Sequence, residues 1–301
     1  MTTASMGWAA QLGTVTESTY GVTPGGGVVE RFVFVNESLA RRGLIIPRDG
    51  IRGSRSTVAN DTRQGPYRVV GSVLLEPTPA DLSIWLPRIL GAAPSGSTFA
   101  LAGALPSFSL SVDRVAKVFT YAGCKVNRAT FAGEKGGLVR LRLDIVGQSE
   151  SVATAGSFPT LTASTEAGPY LFAGDPVLTL NSATREVQDF ELVIDNGLVT
   201  DRFMNSLTVV NLPEGNRTVT LRTSHAWASA NVNLYNQALA GAAGTLAFTN
   251  GASSTTFSFG TLQVPANSPT TPGKAEIMLT LEMVARKTGG TLELSVSNTA
   301  A

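Results

Sequence analysis

Histidine and cysteine carry much of the acid–base, nucleophilic and metal chemistry available near neutral pH. This chain of 301 residues has one of each, His225 and Cys124. A His-based triad or a multi-histidine metal site needs partners at defined spacing, and neither residue has them. Lys125 beside Cys124 favours the thiolate, yet the sole candidate base is His225 in the other half of the chain. Cys124 therefore reads as a small buried strand residue, and His225 as a core, cap or interface residue. The glycines at 25–27 and in EKGG at 134–137 fit neither a phosphate-binding loop nor a dinucleotide fingerprint and read as turns. No carboxylate pair stands out for acid–base work. These residues imply no catalytic group, no metal site, no cofactor and no enzyme.

Arginine is the one concentrated functional group. Arg41, Arg42, Arg48, Arg52, Arg55 and Arg63 lie in a single connection between Asn36 and Gly65, with few acids among them. Guanidinium groups suit phosphates or carboxylates. The stretch lacks the interleaved aromatics that stack bases, and the whole-chain charge is only +1. Three readings stand: contact with an acidic surface on a neighbouring copy, contact with a phosphate backbone, or a solvated loop. Residues 1–150 hold sixteen basic and eleven acidic side chains, residues 151–301 seven and eleven. Halves of opposite sign suit head-to-tail packing between copies.

The elements that must position these residues are repeated. GPYRVVGSVLLEPTPADLSIWLPRILG at 65–91 returns as GNRTVTLRTSHAWASANVNLYNQALAG at 215–241. Each reads as a strand feeding a short helix. In the first, Thr78 suits the N-cap, Pro79 the first helical position and Asp81 the positive helix end. Leu82, Trp85, Leu86 and Ile89 form an apolar stripe, Gly91 suits the C-terminal cap, and Pro87 falls late enough to kink only the last turn. In the second, Ser229 suits the cap, Val232, Tyr235 and Leu239 continue the stripe, and Gly241 closes it.

Other stretches pair at shifted offsets. A strand at 29–36 is matched to 187–196, aligning Asn36 with Asn196 and making the connection at 197–214 ten residues shorter than the arginine stretch. SFSLSV at 107–112 is matched to TFSFGT at 256–261. A hairpin-like section, KVFTYAGCKVNRATFAGEKGG, is replaced in the second copy by Pro-rich VPANSPTTPGK. Terminal strands at 139–148 and 277–286 place Val139, Leu141, Leu143 and Ile145, matched by Ile277, Leu279, Leu281 and Met283, on one face. Arg140, Arg142 and Asp144, matched by Met278, Thr280 and Glu282, take the other. Asp144 and Glu282 are thus repeat equivalents, which argues for a structural face.

Composition agrees with a β-rich chain: 43% hydrophobic, 15% charged, 31 glycines. One cysteine allows no intramolecular disulfide and fits a reducing compartment. No apolar run reaches membrane-spanning length and no secretory leader is legible, so a soluble protein assembled in cytoplasm is expected, with no membrane partner. The expected division is an extended arm over 1–28, a first β domain over 29–150, a linker over 151–185 and a second β domain over 186–301. Trp8 and Tyr20, large for a solvated tail, suit an arm that docks on a neighbour.

LGTVTESTYGVTP, VVGSVLLEPTPADLSIWLPRILGA, FTYAGCKVNRATFAGEKGGLVRLRLDIVGQ and VQDFELVIDNGL together resemble the major tail tube proteins of long, non-contractile-tailed (siphovirus-like) bacteriophages. The resemblance spans nearly the whole chain, mostly in small and apolar strand positions. It implies a mainly β fold: two tandem tail-tube-like β-sandwich or barrel domains, each with a short flanking helix. It also implies a structural virion protein of the tail that assembles in the bacterial host cytoplasm. Subunits would form rings whose sheets join around a lumen, and rings would stack through the arm or a long loop. DNA would cross the bore transiently and without sequence preference. A duplicated domain implies a trimeric ring of pseudo-sixfold symmetry. Implied partners are further copies of the chain, the tape measure protein and the tail terminator and distal tail proteins. Arg140, Arg142, Asp144, Met278, Thr280 and Glu282 become lumen-facing candidates, although bores of this family tend to be acidic. Trp8, Tyr20 and the six arginines become contacts between subunits or rings. The competing reading is another duplicated β protein, a capsid decoration protein or adhesin, that does not polymerise.

Overall fold

The computed structural model describes residues 4–161, 168–172, 174, 176–228, 231–264 and 268–300. The first half runs β1 (Gln11–Thr16), β2 (Glu30–Phe32), β3 (Asn36–Glu37), β4 (Ala40–Pro47), β5 (Thr62–Leu75), α1 (Pro79–Leu90) and β6 (Thr98–Ala100). It continues with β7 (Phe108–Asp113), β8 (Lys117–Glu134), β9 (Arg140–Gly147) and β10 (Ser149–Thr154). The second half runs β11 (Pro176–Leu180), β12 (Ala183–Arg185), β13 (Asp189–Asp195), β14 (Thr218–Ala226) and α2 (Val232–Ala240). It ends with β15 (Ala242–Asn250), β16 (Ser253–Gln263), β17 (Met278–Arg286) and β18 (Leu294–Thr299).

The strands form one mainly antiparallel network with three regions. β2, β1, β7, the first part of β8 and β10 pair in that order. A central region runs β4, β5, β9, the second part of β8, β13, β14 and β17. A third runs β12, β11, β15, β16, β18 and β6. β8 passes from the first region to the central one. It bends at Gly123, whose φ of 66° favours glycine. The end of β16 likewise leaves the third region to pair with β17.

α1 forms as its residues direct. Thr78 accepts a hydrogen bond from the Asp81 backbone N–H, and the Asp81 carboxylate accepts one from the Thr78 N–H at 2.9 Å, closing a capping box. Gly91 ends it at φ 100°. Leu82, Trp85, Leu86 and Ile89 are all buried, with Trp85 against Phe32 and Phe108. Gly241 follows α2 at φ 80°. Val232, expected in the second stripe, opens α2 and is exposed, while Leu234 is buried. Ser229 and the side chains of Tyr235 and Leu239 lie outside the described residues. One core joins the halves: the rings of Phe131 and Phe257 pack at 5.0 Å, and Asn298 Nδ2 donates to the Pro79 carbonyl and to Ser83 Oγ on α1.

The ladders recur with matching registers. Val70 pairs with Val146 and Thr220 with Val284, consistent with the offsets of 150 and 138 read from the sequence. Cys124 pairs with Phe108 and Leu262 with Ala242, and each ladder then slips by one residue at a bulge. The hairpin β1–β2 has its counterpart in β11–β12, and β10 beside β8 has its counterpart in β18 beside β16.

Several expected matches shift. KVFTYAGCKVNRATFAGEKGG is mostly one long strand, β8, because its two irregularities, one around Gly123 and one at Asn127, are absorbed as a bend and a bulge without ending the strand. SFSLSV is β7, which stands where β15 stands; TFSFGT lies in β16, at the place of β8. The segment 29–36 is divided between β2 and β3. Asn36 pairs with Leu74 as Asp189 pairs with Ser224, so Asn36 corresponds to Asp189 and not to Asn196. Part of the segment expected as an arm, 11–16, is β1, hydrogen-bonded to β2 and β7 with Leu12 fully buried. The segment expected as a linker contains β11 and β12.

Candidate assembly surfaces

The central region presents one apolar and one polar face. Leu141, Leu143 and Ile145 on β9 and Leu279, Leu281 and Met283 on β17 are buried, as the alternation of types requires. Arg140, Arg142, Asp144, Met278, Thr280 and Glu282 all lie on the opposite face. A row of directly paired residues crosses it: Arg140, Ala132, Glu191, Arg222 and Glu282. The row through Asp144 continues to Arg128 and Asp195. Arg142 Nε donates to Asp144 at 3.0 Å, Arg128 donates to Asp195 at 2.6 Å, and Arg140 is 3.6 Å from Glu76. Exposed pairs of this kind contribute little stability, roughly 0–1 kcal/mol each. Their consequence here is electrical: the arginines of this face are compensated by neighbouring acids. Arg128, Glu191, Asp195 and Arg222 join the face without having been singled out from sequence. The period-two pattern of RATFAGE, DFELVID and TVTLRTS is the signal that places them.

β4, β5 and the connection between them form a projecting hairpin whose residues 41–60 are all exposed. Arg41 and Arg42 lie on β4 and Arg63 on β5, with Arg48, Arg52 and Arg55 in or beside the connection. The Arg41 guanidinium stacks on the Tyr67 ring at 3.7 Å, and Arg52 pairs with Asp61. Interleaved with the arginines are exposed Leu44, Ile45, Ile46, Ile51 and Val58, with Ile45 75% exposed. The charge pattern had hidden this apolar content, although ARRGLIIP carries it openly.

The connection between β13 and β14, residues 196–217, is laid over the first half. Tyr67 N–H donates to the Leu207 carbonyl at 2.8 Å, Arg68 Nη1 to Thr200 O at 2.8 Å and Gln148 Nε2 to Val209 O at 3.0 Å. Lys125 Nζ donates to Leu212 O and to Glu214. Val209 and Leu212 are fully buried against Val146. By the strand registers this connection is about three residues shorter than the arginine hairpin, not ten.

At the N-terminus Trp8 is 85% exposed. Tyr20, expected beside it as an outward contact, is committed to its own chain, packed on Val146, Val209 and Leu212 near Gly123. Buried Glu17 accepts hydrogen bonds from Gly21 N–H, Ser109 Oγ and Gly123 N–H, at 2.7 to 2.9 Å, and ties this segment to the bend of β8.

His225 is buried. Its Nδ1 lies 2.7 Å from the Glu186 carbonyl, which requires an N–H there, so Nε2 accepts from Thr223 Oγ1 at 2.9 Å. Burial lowers its pKa below the usual value. Burial pushes the Cys124 thiol well up, away from the reactive thiolate. Among the described residues no His, Cys, Asp or Glu cluster is placed to hold a metal, and no helix is long and apolar enough to cross a membrane.

The histidine and cysteine thus lie in the interior of a β network whose outside carries a polar sheet face and an apolar hairpin. The chain belongs to the phage tail tube protein family, whose model, described as phage tail tube protein, matches residues 7–285. It is a structural subunit of the virion tail that assembles into a tube, and not an enzyme. No curated protein matches the chain. Family membership sets aside the decoration-protein and adhesin reading.

Proposed function

We propose that the chain carries two tube units, that three copies close a ring of pseudo-sixfold symmetry, and that such rings stack into the tube of a long, non-contractile tail. The carrying observation is the recurrence of ladders: with β3 and β4 together answering to β13, and β6 left aside, the strands of the first half pair in the order of those of the second, and the β5–β9 and β14–β17 ladders share a register as the β7–β8 and β15–β16 ladders share a bulge. The units then run from β1 to β10 and from β11 to β18, wider than the boundaries 29–150 and 186–301 drawn from sequence. The seam between β8 and β13 joins them into one sheet inside the chain. Ring closure repeats that joining between chains and removes exposed sheet edges.

In this reading the polar face bearing Arg140, Arg142, Asp144, Met278, Thr280 and Glu282 lines the bore. Its compensated charges let a polyanion pass without strong attachment, which suits transient, non-specific passage of DNA. The bore also houses the tape measure protein before ejection, and the tube's ends meet the terminator and distal tail proteins. In this reading Trp8, exposed ahead of β1, bridges rings. Electron microscopy of purified, concentrated protein tests the proposal. Averaged rings should show six lobes built by three chains. Discrete particles that never stack, or rings of six separate chains, overturn it.

A further inference from the structure

β3 and β4 pair with β5 as β13 pairs with β14, so the arginine hairpin stands in the first half where the 196–217 connection stands in the second. The two differ in what they touch. The 196–217 connection covers a surface of the first half: Val146 at its centre, with Arg68, Lys125 and Gln148 donating hydrogen bonds to its carbonyls. The arginine hairpin is exposed over residues 41–60.

The second half has a surface equivalent to the covered one. The ladder registers place Val284 where Val146 stands, Gln263 where Lys125 stands and Arg286 where Gln148 stands. Gln263 and Arg286 are exposed and Val284 is partly exposed, whereas Val146 is buried. Donors stand at all three equivalent positions, since the Gln263 amide and the Arg286 guanidinium donate to backbone carbonyls and Thr218, where Arg68 stands, offers a hydroxyl. The hairpin brings the apolar side chains such a surface buries: Leu44, Ile45, Ile46, Ile51 and Val58, which water would otherwise solvate at a cost.

We infer that the 41–60 hairpin of one copy lies over the Gln263, Val284 and Arg286 surface of a second copy in the same ring, as residues 196–217 lie over the first half within one chain. The occupant is a second copy of this chain. This rests on the two-unit ring proposed above. It assigns the hairpin to the seam between neighbours in a ring, not to stacking between rings.

The native cysteine is buried, so introduced thiols report cleanly. Ile51→Cys and Val284→Cys are combined in one chain, and assembled tubes are treated with a short bismaleimide. Covalent products should form a ladder that stops at three chains. Tubes that form without linkage above that of an Ile51→Cys, Val177→Cys control overturn the inference. A ladder that continues past six chains also overturns it, because it places the hairpin between rings. A ladder that stops at six preserves the hairpin contact and defeats the trimeric ring, and failure of the native protein to form tubes defeats the tube reading itself. Hydrogen exchange on native protein gives an independent readout. Amides of 41–58 and of 284–286 should both gain protection on assembly, and protection of neither overturns the contact.

Discussion

Arg88 shows what a single buried charge does in this fold. Its guanidinium donates to Thr14 Oγ1 at 2.7 Å, Thr16 Oγ1 at 3.3 Å and Glu30 at 2.8 Å, so α1 is locked to the β1–β2 hairpin. Arg88→Ala should cost about 3 kcal/mol in urea unfolding, because it strands Glu30 and empties a buried site. Arg88→Lys should recover only part of this, since an ammonium does not reproduce the forked geometry. His225 gives a pH-dependent counterpart. Its folded pKa lies below the usual 6.5, so the unfolded chain binds the proton first as pH falls. Stability is therefore lost as pH falls from about 6.5 toward the lower folded value. Thermal unfolding of His225→Gln should show a flatter dependence between pH 7 and 5 than the native chain. The helix cap Thr78 and Asp81 was legible because its partners are three residues apart. Arg88 was not, because its partners lie 58 to 74 residues away and nothing local marks them.

Strands were easier to find than to match. The alternation of β9 and β17 was plain in the sequence, and so was the core unit from β5 through α1. β7 was nevertheless matched to β16, because short runs of Phe, Ser and small residues look alike in any strand. Which strand holds which place is decided by ladder partners far away in sequence. A single glycine settles the long element: Gly123 lets β8 turn from one region to the next. A Cβ there would come within 2.7 Å of Gln148 Cβ and 3.1 Å of the Tyr20 ring, at a backbone angle that side chains avoid. Gly123→Val should destabilise the chain by about 2–3 kcal/mol from backbone strain and crowding, read as a lower urea midpoint with an unchanged slope. A neutral effect would show that β8 bends elsewhere.

For the whole molecule, the part of the N-terminus available for bridging rings is shorter than composition suggested, since β1 is already part of the sheet. Deleting residues 1–10 removes Trp8 and spares β1. Rings should still form and stacking should fail; tubes of normal length would remove Trp8 from any bridging role. The seam between β8 and β13 has a further consequence for how such a ring comes apart. In a ring of three chains, every second seam is tethered by covalent backbone and the seams between are held by contact alone. The tethered pair meets at the high effective concentration of a single molecule, and only three bodies give up their freedom of movement. Bending or heating should then break the tube along three lines and not six. Six lobes of such a ring would look alike, and the fracture pattern would record which of them are chemically one piece.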